Sequence, residues 1–218
     1  MKTYKKLLLG FAFIMPFVGC SPENDIKIAE STDYKFYEEF LSFSQETEGE
    51  DIAIEGWTNY AQAGTVKWEN GYYSGTKYAE FTSYQSGQAS NIAWLISPAI
   101  SMDAIKKEML AFDVAQAYVS SASNSIELLI SKDYDGTNVQ TATWKTVTFT
   151  TPPLNYDTNF DFFSSGIIDL APYIDTDTED GLPYTGNIYL AFRCKGSGTN
   201  TSLDGTYELD NIRIFNQK

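Results

Sequence analysis

The sequence contains no histidine, two cysteines, and only two arginines, Arg193 and Arg213. Without imidazole there is no Ser-His-Asp triad, no Cys-His dyad and no zinc site built on histidine. Positive charge is scarce as well: Lys+Arg 15 stand against Asp+Glu 29 in 218 residues, a net charge of -14. Such a surface repels phosphate backbones, which sets nucleic acid aside as a partner. No GxGxxG opens a helix and no GxxxxGK[ST] occurs, so the common nucleotide cradles are missing too. What is present is 43% hydrophobic and 15% aromatic residues against 20% charged, the composition of one folded domain with a sizeable core. That balance favours a binding or structural module over an enzyme.

The chain opens with a leader. Lys2, Lys5 and Lys6 precede an apolar run from Leu7 to Val18 that is too short for a stop-transfer helix, and Val18-Gly19-Cys20 follows. Small residues before a cysteine resemble the bacterial lipobox, with Phe17 where leucine is usual. The resemblance implies a signal peptide over 1–19 and a lipid on Cys20; an ordinary secretory leader cut elsewhere is the alternative. Residues 20–35 are polar and acidic and suit a linker that lifts a domain off the membrane. Glu23 and Asp25 resemble signals that place lipoproteins of Bacteroidetes on the outer face of the outer membrane. A lipid-anchored, surface-exposed location is therefore expected, with the anchor as the sole membrane contact.

From residue 36 to 218 short alternating runs broken by turn residues predict an all-β, two-sheet jelly-roll sandwich of roughly ten strands. Leu110, Phe112 and Val114 share one face, as do Ile126, Leu128 and Ile130, and Ile188, Leu190 and Phe192. Cys194 continues the last series and is expected in the core. Asp135-Gly136, Pro152-Pro153, Asp180-Gly181 and Asp204-Gly205 supply turn chemistry. Only Ser101 to Met109 carries a helical pattern. In Tyr207 to Phe215 the apolar positions run Tyr207 and Leu209, then change parity to Ile212 and Ile214, which predicts a β-bulge at Asp210-Asn211.

The order of motifs resembles a family. Phe36-Tyr37-Glu38-Glu39-Phe40, Gly56-Trp57, Val66-Lys67-Trp68, Trp94-Leu95-Ile96-Ser97-Pro98-Ala99-Ile100 and Leu110-Ala111-Phe112-Asp113 come first. Trp144-Lys145, Ile168-Asp169-Leu170, Ile188 to Phe192 and Leu209-Asp210-Asn211-Ile212 follow. This succession is similar to the cleaved adhesin, or choice-of-anchor J, domains of Bacteroidetes surface proteins. The resemblance spans Tyr37 to Phe215 and implies a jelly roll related to MAM and carbohydrate-binding modules, with structural calcium. The insert at 46–55 and the aromatic loop at 152–163 depart from the family pattern.

Candidate site residues follow. A bulge could turn Asp210 toward an oxygen-rich site shared with Glu39, which makes these two the expected calcium ligands. The loops Asp133 to Asn138 and Asp175 to Gly181 imitate calcium loops but are expected to be solvated turns. Glu208-Leu209-Asp210 resembles the start of the ExDxxE signature of β-sandwich glycosidases, yet Arg213 stands where the second glutamate belongs, so no catalytic residues are assigned. For ligand contact the glycine-flanked Tyr72 and Tyr73 and the loop aromatics Tyr156, Phe160 and Phe163 are the candidates, while Trp94 is expected to be buried. The function expected is a non-catalytic adhesin-like domain that recognises glycan or a surface protein. The alternatives are an accessory subunit of an outer-membrane uptake or adhesion assembly and, more remotely, a glycoside hydrolase.

Overall fold

The computed structural model describes residues 48–102, 108–155, 160–174 and 184–216. The leader, Cys20, Glu39, Tyr156 and the loop at 175–181 lie outside the described residues.

Two antiparallel sheets form a jelly-roll β-sandwich. The first runs in the order β1 (Thr58–Ala63), β4 (Asn91–Ile96), β11 (Asn187–Gly196), β7 (Ser125–Ser131) and β8 (Lys145–Val147), with β5 (Ile100–Ser101) also on β11. The second runs β10 (Ile168–Asp169), β6 (Glu108–Ala117), β12 (Thr206–Asn216), β3 (Thr76–Thr82) and β2 (Glu69–Tyr73), with β9 (Phe163–Ser164) on β6. One helical turn, α1 (Ala171–Ile174), is the only helix among the described residues.

The period-two triplets do what their spacing requires. Leu110, Phe112 and Val114 of the second sheet meet Ile126, Leu128, Ile130, Ile188, Leu190 and Phe192 of the first in one buried core. Phe112 sets its ring edge against Phe192 across the sandwich at 5.1 Å between centroids. Cys194 is in phase and fully buried, and burial pushes its thiol pKa up, so it packs as a small apolar side chain.

The bulge stands where the parity change puts it. Pairing of β12 with β6 shifts register between Asp210 and Arg213, and Asn211 takes a positive φ of 52°. After it Ile212 and Ile214 return to the core.

One expectation is corrected. Ser101 ends β5, and Glu108 and Met109 already belong to β6, so the two ends of the expected helix are strands. Met109 packs with Ala111 and Phe215 on one face of the sheet. That period-two contact, held by the pairing of Met109 with both Phe215 and Asp169, overrides local helix preference at this end, while the middle of the expected helix, 103–107, lies outside the described residues.

Candidate ligand-binding groove

The outer faces of the two sheets differ, and the difference locates the site. On the first sheet Trp94, Ile96, Leu129 and Ala191 are covered by Tyr134 and Val139 from the segment after β7, with Trp144 packed alongside. That segment is tied down by its own acids. Asp135 accepts hydrogen bonds from the backbone N–H groups of Asn138 (2.7 Å) and Thr137 (2.8 Å), which hold its carboxyl well below the usual range. Asp133 accepts from Ser131 and from the Thr143 N–H. Asp133 to Asn138 is thus closed on itself by its own hydrogen bonds, with Tyr134 buried in it. Trp94 is buried beneath it, its indole N–H donating to Gln62 at 2.8 Å and its ring carrying Arg193.

The second sheet leaves its outer face open between β3 and the segment that leads into β9. Antiparallel register places Glu69 opposite Glu80 and Glu80 opposite Glu208, a row of three glutamates across β2, β3 and β12. Ala115 of β6 is the next partner in the row, opposite Glu208, and is fully buried. Tyr78, two positions before Glu80, donates its hydroxyl to Glu208. Its ring meets Phe162 edge-on at 6.1 Å. Together Tyr73, Tyr78, Phe160 and Phe162 with Glu80, Asp161 and Glu208 enclose a groove of about 710 Å³, within the size range of small-molecule sites. Among the described residues no lysine or arginine lines it.

A second cavity of about 680 Å³ adjoins it along the same strands. Thr82 and Thr206, the next outward positions after Glu80 and before Glu208, form its floor and share a hydrogen bond of 3.0 Å. Exposed Tyr84 and Tyr118 stand at its sides. Four non-glycine residues with positive φ, Ser74, Tyr118, Asn155 and Phe160, line the two cavities. For rings as large as Tyr118 and Phe160 that conformation costs free energy, and such strain gathers at ligand sites. Local ties hold it in place: the Asn155 N–H donates to the Val119 carbonyl at 2.9 Å, and Tyr118 packs edge-on against Phe160.

Crowding perturbs the acids. Burial and then the Glu80 charge push Glu208 up to about 8, although the Tyr78 hydroxyl pulls the other way. Burial followed by Glu69 and Glu48 raises Glu80, and burial followed by Asp51 raises Glu69. Glu208 is only 4% exposed, so at neutral pH it holds a proton that an ordinary surface glutamate would have lost.

Of the residues singled out from sequence, Tyr73 (77% exposed) and Phe160 line the groove. Tyr72 is exposed but, being next to Tyr73 in β2, points to the other side of the strand. Phe163 is half-buried opposite Val114, and the ring that reaches the groove is its neighbour Phe162. Sequence reasoning also missed Tyr78 as a groove residue; the signal was Gly71, whose lack of a side chain leaves space for an aromatic on the paired strand.

Asp210 sits at the bulge opposite Asp113 of β6. Its Oδ1 accepts the Asn211 N–H at 2.7 Å, and the Asn211 amide donates to Asp113 at 2.9 Å. Two carboxylates at one point suit a hard cation, but among the described residues no cluster of three or more acidic, histidine or cysteine side chains is placed to hold a metal.

No family model matches the sequence, and no curated protein matches it either. Among solved structures the fold is similar to the K2 cleaved adhesin domain of Lys-gingipain, at 18% identity and a TM-score of 0.50, over 81% of this chain and 96% of that one. The K1 cleaved adhesin domain of Lys-gingipain from Porphyromonas gingivalis has 18% identity and a TM-score of 0.47, over 79% of this chain and 97% of its own. The family 11 carbohydrate-binding module of a cellulosomal cellulase from Clostridium thermocellum has 15% identity and a TM-score of 0.42, over 80% and 95%. At these identities the likeness is one of fold.

Proposed function

We propose that the chain is a surface lipoprotein whose β-sandwich, spanning 36–218, is an adhesin-like domain of the choice-of-anchor J type that binds glycan in the groove of its second sheet. One observation carries this reading: the segment after β7 covers Trp94, Ile96, Leu129 and Ala191 on the first sheet's outer face, whereas the second sheet's outer face holds a groove edged with aromatic rings. Sugar rings stack their C–H faces on aromatic surfaces, and a few polar groups beside those rings fix orientation. The fold shared with the K2 adhesin domain agrees with a binding role. A lipid on Cys20 and the acidic linker at 20–35 would hold the domain at the outer face of the outer membrane, and calcium at Asp210 with Glu39 would clamp its end strands.

In this reading the groove catalyses nothing. Glu208 is already engaged by the Tyr78 hydroxyl, and Arg213 stands where the ExDxxE signature needs its second glutamate. The test is a glycan array probed with the full chain in a polyoxyethylene detergent, which avoids sugar head groups. Binding to a discrete set of glycans that Tyr73→Ala weakens, with no release of reducing ends, supports the reading. Absence of glycan binding together with capture of one outer-membrane protein would replace it with the accessory-subunit role.

A further inference from the structure

We infer that the groove of the second sheet selects a glycan bearing a free amine, so that its ligand is an amino-sugar chain and not a neutral one. This rests on the glycan reading above and adds the chemistry of the group recognised.

The register of β2, β3 and β12 stacks Glu69, Glu80 and Glu208 side by side on one face. Like charges directly opposite one another on paired strands destabilise a sheet. Beside the Tyr78 hydroxyl little offsets them: the groove's other charged lining residue is Asp161, and among the described residues no cation lines it. Lys77 of β3 lies one strand position before Tyr78 and so on the opposite face from Tyr78 and Glu80. Further along the same face β6 and β12 add Asp113 and Asp210, and Arg213 lies beyond the bulge opposite Ala111. For want of a cation Glu208 keeps its proton at neutral pH, and an ammonium brought against the row would let it ionise between low-dielectric ring walls, where the attraction is felt most strongly.

The rings add the second half of the recognition. Tyr73, Tyr78, Phe160 and Phe162 line the same space as Glu80 and Glu208. Aromatic faces attract ammonium groups and also accept the C–H faces of pyranoses. A neutral hexose would use the rings and leave the carboxyl row uncompensated. A 2-amino sugar uses both, because its ammonium and its ring are joined directly. Three hydrogen-bond donors on that ammonium match the carboxyl oxygens of neighbouring glutamates. The volume of about 710 Å³, with the cavity of about 680 Å³ next to it, has room for more than one sugar ring. A lysine side chain would fill little of that width, which favours the amino sugar over a basic peptide.

The test uses three β-1,4-linked tetrasaccharides that differ only at C2: one with a hydroxyl (cellotetraose), one with an acetamide (tetra-N-acetylchitotetraose) and one with a free amine (chitosan tetraose). A lysine-rich peptide is the fourth probe. Binding is followed by calorimetry on the full chain in polyoxyethylene detergent at neutral pH and at two salt concentrations. We expect the amine to bind at least about tenfold more tightly than the other two sugars, with affinity falling as salt rises. Glu80→Gln and Glu208→Gln should each remove most of that preference. Both variants relieve like-charge crowding and so should fold. Tyr73→Ala should weaken all sugars alike.

Equal binding of the three sugars overturns the amine inference and leaves the glycan reading intact. Preference for the peptide, or no binding of any probe, also overturns it, and the glycan array then decides the broader reading by itself.

Discussion

Tyr78 lies across Gly71: on the paired strands β2 and β3 the two are direct partners, and a Cβ added to Gly71 would run into the Tyr78 ring. The glycine thus lets an aromatic ring lie flat over its neighbour strand, between Phe162 and Glu208. Local sequence explains the glycine only as a weak point in a strand, whereas the sheet register explains it as space for a ring.

Gly71→Ala should therefore displace Tyr78 and disturb the groove from below. Overpacking of this kind costs about 1–3 kcal/mol, and denaturant melts would read it as a lower midpoint with an unchanged slope. Binding of whatever glycan the array identifies should weaken in the same variant. An alanine variant as stable as wild type, with binding intact, would show that Tyr78 is free to swing away and is not part of the site.

The carboxyl row makes stability depend on pH in a direction opposite to that of most surface acids. Glu208 is pushed up to about 8, and Glu80 and Glu69 are raised as well, so their folded-state pKa values exceed those of the unfolded chain. Groups shifted this way lend stability that is complete below the unfolded value and is lost as pH rises through the folded one. Between pH 5 and 9, in chelator so that no divalent cation contributes, the melting temperature should fall by several degrees. Glu208→Gln should flatten the profile and melt above wild type at pH 9. A wild-type profile that is level from pH 5 to 9 would mean that the row is well solvated.

The sandwich was legible because its core obeys a simple period. Ile188, Leu190, Phe192 and Cys194 alternate so regularly that only a strand can bury them on one face, and the parity change at Asp210 can be absorbed only by a bulge. The groove was less so. Glu69, Glu80 and Glu208 form one row only through the pairing of β2 with β3 and of β3 with β12, and no local pattern records that register. Phe162 and Phe163 illustrate the same limit, because one residue of phase decides which ring faces the ligand. At Glu108 and Met109, the end of the segment with a helical pattern, the reverse holds: local preference was plain, and pairing with β12 and β10 outweighed it.

Anchoring predicts a chemical label. Metabolic feeding with an alkynyl palmitate analogue should mark the wild-type chain, because lipidation consumes the thiol of Cys20. Cys194 cannot substitute for it, since it is buried with its thiol pKa raised. Cys20→Ala should lose the label while the sandwich still folds and binds. Label retained by that variant would remove the lipoprotein reading and leave an ordinary secretory leader.

The bulge offers the test for calcium. Asp113 and Asp210 face each other across β6 and β12, a like-charge pair that costs stability unless something positive stands between or beside them. The Asn211 amide reaches Asp113 and so offsets part of that cost. A divalent cation would offset more, with Glu39 as the further oxygen ligand expected from the sequence. An ion that binds only the folded state adds about 2.7 kcal/mol when its free concentration is a hundredfold above the dissociation constant. For a domain of this size that corresponds to a rise of roughly 5–10 °C in melting temperature. Wild type should therefore melt higher in millimolar calcium than in chelator, and both Asp210→Ala and Glu39→Ala should lose the difference. If Asp210→Ala alone loses it, the ion is held at the bulge without the first segment of the chain. If wild type melts alike in both buffers, Asp210 and Asn211 only turn the strand, and the Asn211 amide is the whole answer to the charge of Asp113.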